Sequence, residues 1–189
     1  TGAAAAADIT AIEAANGTGT ITGSALTEIS GTAAAVVQAI ADLDADPTNF
    51  DSTLTGAATA TDITAIEAAN GTGTITGSAL TAINGTYAQI VQAIADLDAD
   101  PTNFNSTLTA GAVDATDITA LEAANGSGDI DGSALTAING TAAAVVQAIT
   151  DLDTDPTNFN STLTGVATAA DIASIEAANG TGTITGSAL

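Results

Sequence analysis

Nineteen residues, DITAIEAANGTGTITGSAL at positions 8 to 26, return letter for letter at 62 to 80 and in edited form at 117 to 135 and 171 to 189. Self-similarity at a fixed period makes a chain an array of one supersecondary unit, and this constrains the fold more than any local propensity does. The Asp that opens the phrase stands at Asp8, Asp62, Asp117 and Asp171, spacings of 54, 55 and 54 residues. The sequence therefore divides into repeat 1 over 8–61, repeat 2 over 62–116, repeat 3 over 117–170 and a partial repeat 4 over 171–189, with 1–7 reading as the end of a preceding repeat. The extra residue falls in STLTAGAVDATD (106–117), one longer than STLTGAATATD (52–62) and STLTGVATAAD (161–171), which marks a connection tolerant of insertion.

Within repeat 2, Thr61-Asp62 can cap a short helix carrying Ile63 and Ile66, and Asn70-Gly71 can stop it. GTGTITG then reads as a short strand with Ile75 inward, and SALTAI as a brief helix capped by Ser78. The longest helix is expected over TYAQIVQAIADL, where Ile90, Ile94 and Leu97, with Val91 beside them, form an apolar stripe. DADPTNF follows as a Pro-marked loop and NSTLT as a second strand. The expected fold class is a mixed, mainly α-helical tandem repeat of period 54–55 with short β-strands, stacked as an elongated solenoid-like array. A stack that stops in mid-repeat exposes apolar surface, so continuation in a longer polypeptide or docking onto a further subunit is expected.

Charge narrows what such an array can do. The chain has 22 Asp and Glu against no Lys, Arg or His, a formal net charge of -22. It cannot neutralise phosphates, which argues against nucleic acid, and an anionic membrane repels it. No run of 18 apolar residues occurs, so no membrane insertion is expected. Without His or Cys the common general base, thiolate nucleophile and zinc ligands are missing, and the chain is not expected to be an enzyme. Its carboxylates can be solvated, bonded to backbone, or matched by cations, which makes divalent cations the natural partners.

Two stretches are candidates for calcium, with no other cofactor expected. DLDADPTNFD (42–51) and its copies alternate acids as Asp42, Asp44, Asp46; Asp96, Asp98, Asp100; and Asp151, Asp153, Asp155. This resembles a D-x-D-x-D calcium loop, although Pro47 replaces the expected Gly and no Glu closes it. The bland alternative is a helix end and Pro turn with solvated acids. AANGTGTITGSALTAI resembles a degenerate EF-hand or dockerin-type loop, with Asn70, Thr72 and Thr76 at ligand positions and Gly73 at the turn. Ala68 and Ala79 stand where the strongest carboxylate ligands belong, and in the third copy, which gains Asp129 and Asp131, those places hold Ala123 and Ala134. A helix end leading into a strand is favoured there. Thr18, Thr20 and Thr22 would line one face of a strand, a sparse version of an ice-binding Thr row.

The combination D-[IL]-x-x-[IL]-x-A-A, then G-T-[IV]-x-x-S-x-[LV]-T-x-[IL]-x-G-T-A-A, then an Ala-rich helix, resembles the long tandem repeats of giant cell-surface and secreted proteins of marine cyanobacteria and other aquatic bacteria. The resemblance spans nearly the whole repeat, in copies such as ASIEAANGTGTITGSAL and LTAINGTAAAVVQAI. It implies an extracellular or cell-surface structural or adhesive role and no catalytic residues to carry over. The leading expectation is a non-enzymatic structural repeat protein that self-associates into a filament, sheath or surface array. The alternative is a monomeric stalk or spacer of a large surface adhesin, with ice binding a distant third.

Overall fold

The computed structural model describes residues 2–186; Thr1 and Ser187–Leu189, the last residues of the partial fourth repeat, lie outside the described part. In chain order the elements are β1 (Gly2–Ala5), α1 (Ala6–Asn16), β2 (Leu26–Ser30), α2 (Ala33–Asp42), β3 (Ser52–Thr59), α3 (Ala60–Ala69), β4 (Ile75–Asn84) and α4 (Tyr87–Asp96). There follow β5 (Ser106–Thr107), β6 (Gly111–Asp114), α5 (Ala115–Asn125), β7 (Ile130–Asp131), β8 (Leu135–Thr141), α6 (Ala142–Asp151), β9 (Ser161–Thr164), α7 (Ala169–Ala178) and β10 (Ile184–Gly186). By their contacts the residues form two compact units, one running to Ile83 with Ala88–Thr102, the other made of Asn84–Tyr87 and the chain from Asn103 onward.

The mainly α-helical, solenoid-like array expected from the sequence is not what forms. The fold is α/β, with seven helices among ten short strands in the described residues, gathered into small sheets. In the first unit β1 pairs with β2 in parallel, and in the second the sheet order is β10-β9-β8-β6 with parallel registers. The physical reason is the helix between consecutive strands. Strands joined through a helix return in the same direction and must pair in parallel, whereas tight two-residue turns would have given hairpins.

Successive helices begin at Ala6, Ala33, Ala60, Tyr87, Ala115, Ala142 and Ala169. These starts lie 27 residues apart, with one step of 28, so each 54-residue sequence repeat folds as two strand–helix passes. The two helix types differ in letters but share a plan. The first type buries Ile63 and Ile66, or Ile118 and Leu121, and the second Val36 and Ala39, Ile90 and Ala93, or Val145 and Ala148, all at most 1% exposed. Three second-type positions are thus Ala, which lets helices approach closely, while the first type supplies the bulk. The stripe expected on α4 is corrected accordingly: Ile90, Ala93 and Leu97 face inward, Ile94 is half-buried, and Val91 is exposed.

Several helices start on a threonine. Thr59 Oγ1 accepts from Asp62 N at 3.2 Å, Thr32 Oγ1 from Ala35 N at 3.3 Å and Thr141 Oγ1 from Ala144 N at 3.2 Å. SALTAI, expected to be helical, lies in β4, where Leu80 and Ile83 are buried. STLTAGAVDATD is strand rather than simple connection: its added residue splits into β5 and β6 what is the single strand β3 in the preceding copy.

Candidate functional site

The polar phrases that looked like ligand loops join one strand–helix pass to the next. Each T-N-F-[ND] segment lies against a G-[TS]-G-[TD] segment of the following pass. Asn49 Oδ1 accepts from both the backbone N–H and the hydroxyl of Thr72, each at 3.0 Å, and Asp51 Oδ1 accepts from Thr74 N at 2.8 Å and Thr74 Oγ1 at 3.0 Å. The second unit repeats this twice. Asn103 Oδ1 takes Ser127 N and Oγ at 3.0 Å each, and Asn158 Oδ1 takes Thr181 N at 2.9 Å and Oγ1 at 2.8 Å. Two residues further on, Asn105 Oδ1 takes Asp129 N at 2.9 Å, and Asn160 Oδ1 takes Thr183 N at 2.9 Å and Oγ1 at 3.0 Å. Where the later segment carries Asp129, its partner is Asn105 rather than an Asp, so no two carboxylates oppose each other.

Between each pair of clips the phenylalanine turns inward, Phe50, Phe104 and Phe159 being at most 2% exposed. The Phe50 N–H donates to the carbonyl of Asn70 at 3.2 Å. Asn70 is itself fully buried and closes its own turn by donating from Nδ2 to the Gly73 carbonyl at 2.9 Å; Asn179 and Gly182 do the same at 2.9 Å. The glycines of the G-x-G phrase answer two separate needs. Gly71 has φ +70°, a left-handed conformation that ends the helix. Gly73 lies flat beneath the preceding loop, where a Cβ would stand 1.9 Å from the Phe50 carbonyl oxygen.

The nine acids proposed for calcium separate into three roles. Asp96 Oδ1 accepts from Gln92 Nε2 at 2.7 Å and its Oδ2 from Thr64 Oγ1 at 2.8 Å; Asp151 makes the matching bonds to Gln147 and Thr119, each at 2.7 Å. Asp42 keeps only the bond from Gln38, at 2.6 Å. Asp44, Asp98 and Asp153 each act as a strand partner. Their Oδ2 atoms accept from the N–H groups of Ile21, Ile75 and Ile130 at 2.7, 2.8 and 2.8 Å, while their own N–H groups donate back to those residues' carbonyls at 2.9, 2.9 and 3.0 Å. Asp46, Asp100 and Asp155 precede Pro and are exposed. Among the described residues no group of three or more acidic side chains comes together in an arrangement that could hold a metal ion.

The EF-hand-like phrase is likewise built into the fold, with the Asn70 amide and the Thr72 and Thr74 hydroxyls occupied as above. The Thr row expected at Thr18, Thr20 and Thr22 is not a strand: residues 18–21 are irregular and Thr22 forms a single bridge to Ala45. The clips could have been noticed in the sequence from one signal, the constant accompaniment of T-N-F-[ND] by G-[TS]-G-[TD] in every full copy.

Replacing Asp98 by Ala removes one charge-assisted bond and leaves the Ile75 N–H unpaired. The expected loss is about 1–2 kcal/mol in urea unfolding, with Asp98→Asn losing less because it retains an acceptor oxygen.

Electrostatics act on this scaffold in two directions. The backbone N–H of Thr74, and then its hydroxyl, hold the Asp51 carboxyl below the usual range, and the Ser133 hydroxyl and N–H do the same for Asp131. Partial burial raises Asp117 and Glu122, helped at Asp117 by the charge of Asp114 and at Glu122 by those of Asp151 and Asp153, and partial desolvation raises the largely exposed Asp155. For the raised groups the folded chain binds protons more tightly than the unfolded one, so stability grows as pH falls toward the ordinary carboxylate values. For Asp51 and Asp131 the contribution is complete above 3.8 and is lost as pH falls through their lowered values. Thermal unfolding is therefore expected to show a midpoint that rises as the pH falls toward the ordinary Glu and Asp values of 4.5 and 3.8 and drops again below 3.8, as Asp51 and Asp131 take up protons. At neutral pH the midpoint rises with NaCl, because a net charge of -22 with no basic side chain leaves only repulsion to screen.

No protein-family model matches the chain, and no curated protein or solved structure matches it. No helix among the described residues is long and apolar enough to cross a membrane.

Proposed function

We propose that the chain is a non-enzymatic structural repeat protein of the cell surface or extracellular medium, whose copies associate into a filament, sheath or surface array. The observation that carries this reading is the use of the recurring polar side chains: the Asn and Asp of T-N-F-[ND] and the second Asp of D-x-D are spent on joining one pass to the next. Such a chain carries near-identical surface sequences in each repeat, a property that suits an assembling scaffold. Its uniform negative charge makes cations the agents that let copies approach, with divalent ions acting as counterions between acidic surfaces. The second reading, a monomeric spacer in a larger adhesin, draws on the same periodicity without self-association.

Electron microscopy of the protein in a cation-rich medium, with and without a calcium chelator, distinguishes the two. Ordered assemblies with a regular repeat, dispersed by chelation, are expected. Single particles under every cation condition would reject the assembling scaffold in favour of the spacer.

A further inference from the structure

Where one copy in a chain of near-identical copies departs from the rest, the local rule has been broken for a reason, and in the second unit two such departures meet. The first comes with the residue added in 106–117, which splits off β6 and leaves Asp114 at its end. The same position is Thr59 before α3 and Thr168 before α7. Both threonines cap their helices, Thr168 Oγ1 accepting from Asp171 N at 3.1 Å, whereas Asp114, a residue type that caps equally well, makes no cap bond. Its charge also helps to raise the carboxyl of Asp117 on the first turn of the same helix. Asp114 thus forgoes a cap and adds a repulsion, a local cost of the kind that marks functional positions. The second departure is Tyr87, the only tyrosine, which stands where Ala33 and Ala142 open the other helices of its type. It is half-buried, and burial, then the charge of Asp117, raise its phenol, which places the ring beside the start of α5.

Asp114 opens onto a groove of about 580 Å³ at the C-terminal ends of β6, β8 and β9, lined also by Thr116, Asn139, Thr141, Thr162 and Thr164. The parallel strands set Asp114 opposite Asn139 and Thr141 opposite Thr164. Asn139 is fixed by its Oδ1, which accepts from Thr162 N at 2.9 Å, and this leaves Nδ2 as the donor of the Asp114–Asn139 pair. The Thr141 hydroxyl caps α6, so Thr116 and Thr164 supply the further hydroxyls. The carboxyl ends of parallel strands are where α/β folds hold ligands, and the volume is that of a small-ligand site.

The lining selects the ligand. With no Lys, Arg or His in the chain, an anion finds no charge to balance it. Asp114 is the only carboxylate lining the groove, too few for a divalent cation that takes about six to eight oxygen ligands. No large apolar side chain lines it for a lipid-like molecule. A carboxylate acceptor, an amide donor and two hydroxyls match the adjacent hydroxyls of a sugar, and an aromatic ring matches its C–H face. We infer that this groove binds a neutral oligosaccharide, Asp114 accepting from two adjacent ring hydroxyls, Asn139 Nδ2 donating to one of them, and Tyr87 flanking the bound chain. The inference draws nothing from the assembly reading, so either can fail while the other stands.

Because the chain has one Tyr and no Trp, Tyr87 fluorescence reports on this place. Cellotriose, maltotriose and mannotriose are titrated separately into the full chain, with trigalacturonate as the anionic control. At least one neutral trisaccharide is expected to change the Tyr87 emission saturably, with a Kd of about 0.1–10 mM, and to shift the 15N amides of Asp114, Asn139 and Thr164; trigalacturonate does neither. Asp114→Thr, which restores the residue found before α3 and α7, raises the urea midpoint by regaining the cap yet weakens binding at least about tenfold. Tyr87→Ala, the residue of the sister helices, weakens binding as read from the amide shifts. Absence of saturation at about 50 mM of every neutral sugar, equal binding to the Asp114→Thr chain, or a preference for trigalacturonate overturns the assignment.

Discussion

Gly73→Ala, or the same change at Gly128 or Gly182, is expected to destabilise the chain by about 3 kcal/mol or more, read as a lowered urea midpoint. The added Cβ would meet the carbonyl oxygens of Phe50, Phe104 and Phe159 at 1.9, 2.0 and 1.8 Å, and each of those atoms is backbone that cannot rotate away. Relief requires the T-N-F loop to lift, which breaks both flanking clips and withdraws the phenylalanine. Gly56→Ala provides the comparison. Gly56 has φ +75° but open space around it, so its replacement adds only backbone strain, about 1 kcal/mol. If the two substitutions cost the same, the close approach of loop to glycine is not what the G-x-G phrase provides.

Phe104→Ala has the second large effect, an expected loss of about 3–5 kcal/mol. The chain has three Phe and one Tyr, so each loop relies on one large side chain where most cores distribute the volume over several. Phe104 is 2% exposed and lies between the clip residues Asn103 and Asn105. Removing it leaves a cavity under the loop that orients both amides. Urea unfolding followed by far-UV circular dichroism checks this, and Phe104→Leu should recover a large part of the loss by refilling the volume.

Much of the local structure was legible in the sequence because each signal lay within a few residues. DITAIEAA is helical, though capped by Thr59 rather than by Thr61-Asp62, the second helix runs from Tyr87 to Asp96, and STLT lies in strand in β3 and β9 and in part in β5. SALTAI misled because Leu80 and Ile83 lie three apart, a helical spacing, with a capping Ser in front. In the structure, exposed Ser78 and Ala79 interrupt the alternation that began with Ile75 and Gly77, so an irregular strand imitates the helical period.

The 27-residue pass was hidden for a different reason. DITAIEAAN and AAAVVQAIAD share almost no letters, and their correspondence is one of volume, Ile66 in one helix type against Ala39 and Ala93 in the other. That misreading carried over to the fold class, since the helix between consecutive parallel strands becomes visible only at half the sequence period. The hydrogen-bond partners of the acids were hidden because they lie far away in the sequence. Asp98 is close to Asp96 and Asp100 along the chain, yet its partner is Ile75, 23 residues earlier.

Hydrogen exchange of individual amides, measured with calcium and with a chelator, tests most directly that these polar phrases are internal clips. The amides of Thr74, Ile75, Ile130 and Thr183 should be protected equally under both conditions, with Thr18 and Thr20 exchanging freely in each. Protection at Ile75 and Ile130 that appears only with calcium would contradict the clips and return Asp98 and Asp153 to the role of ion ligands.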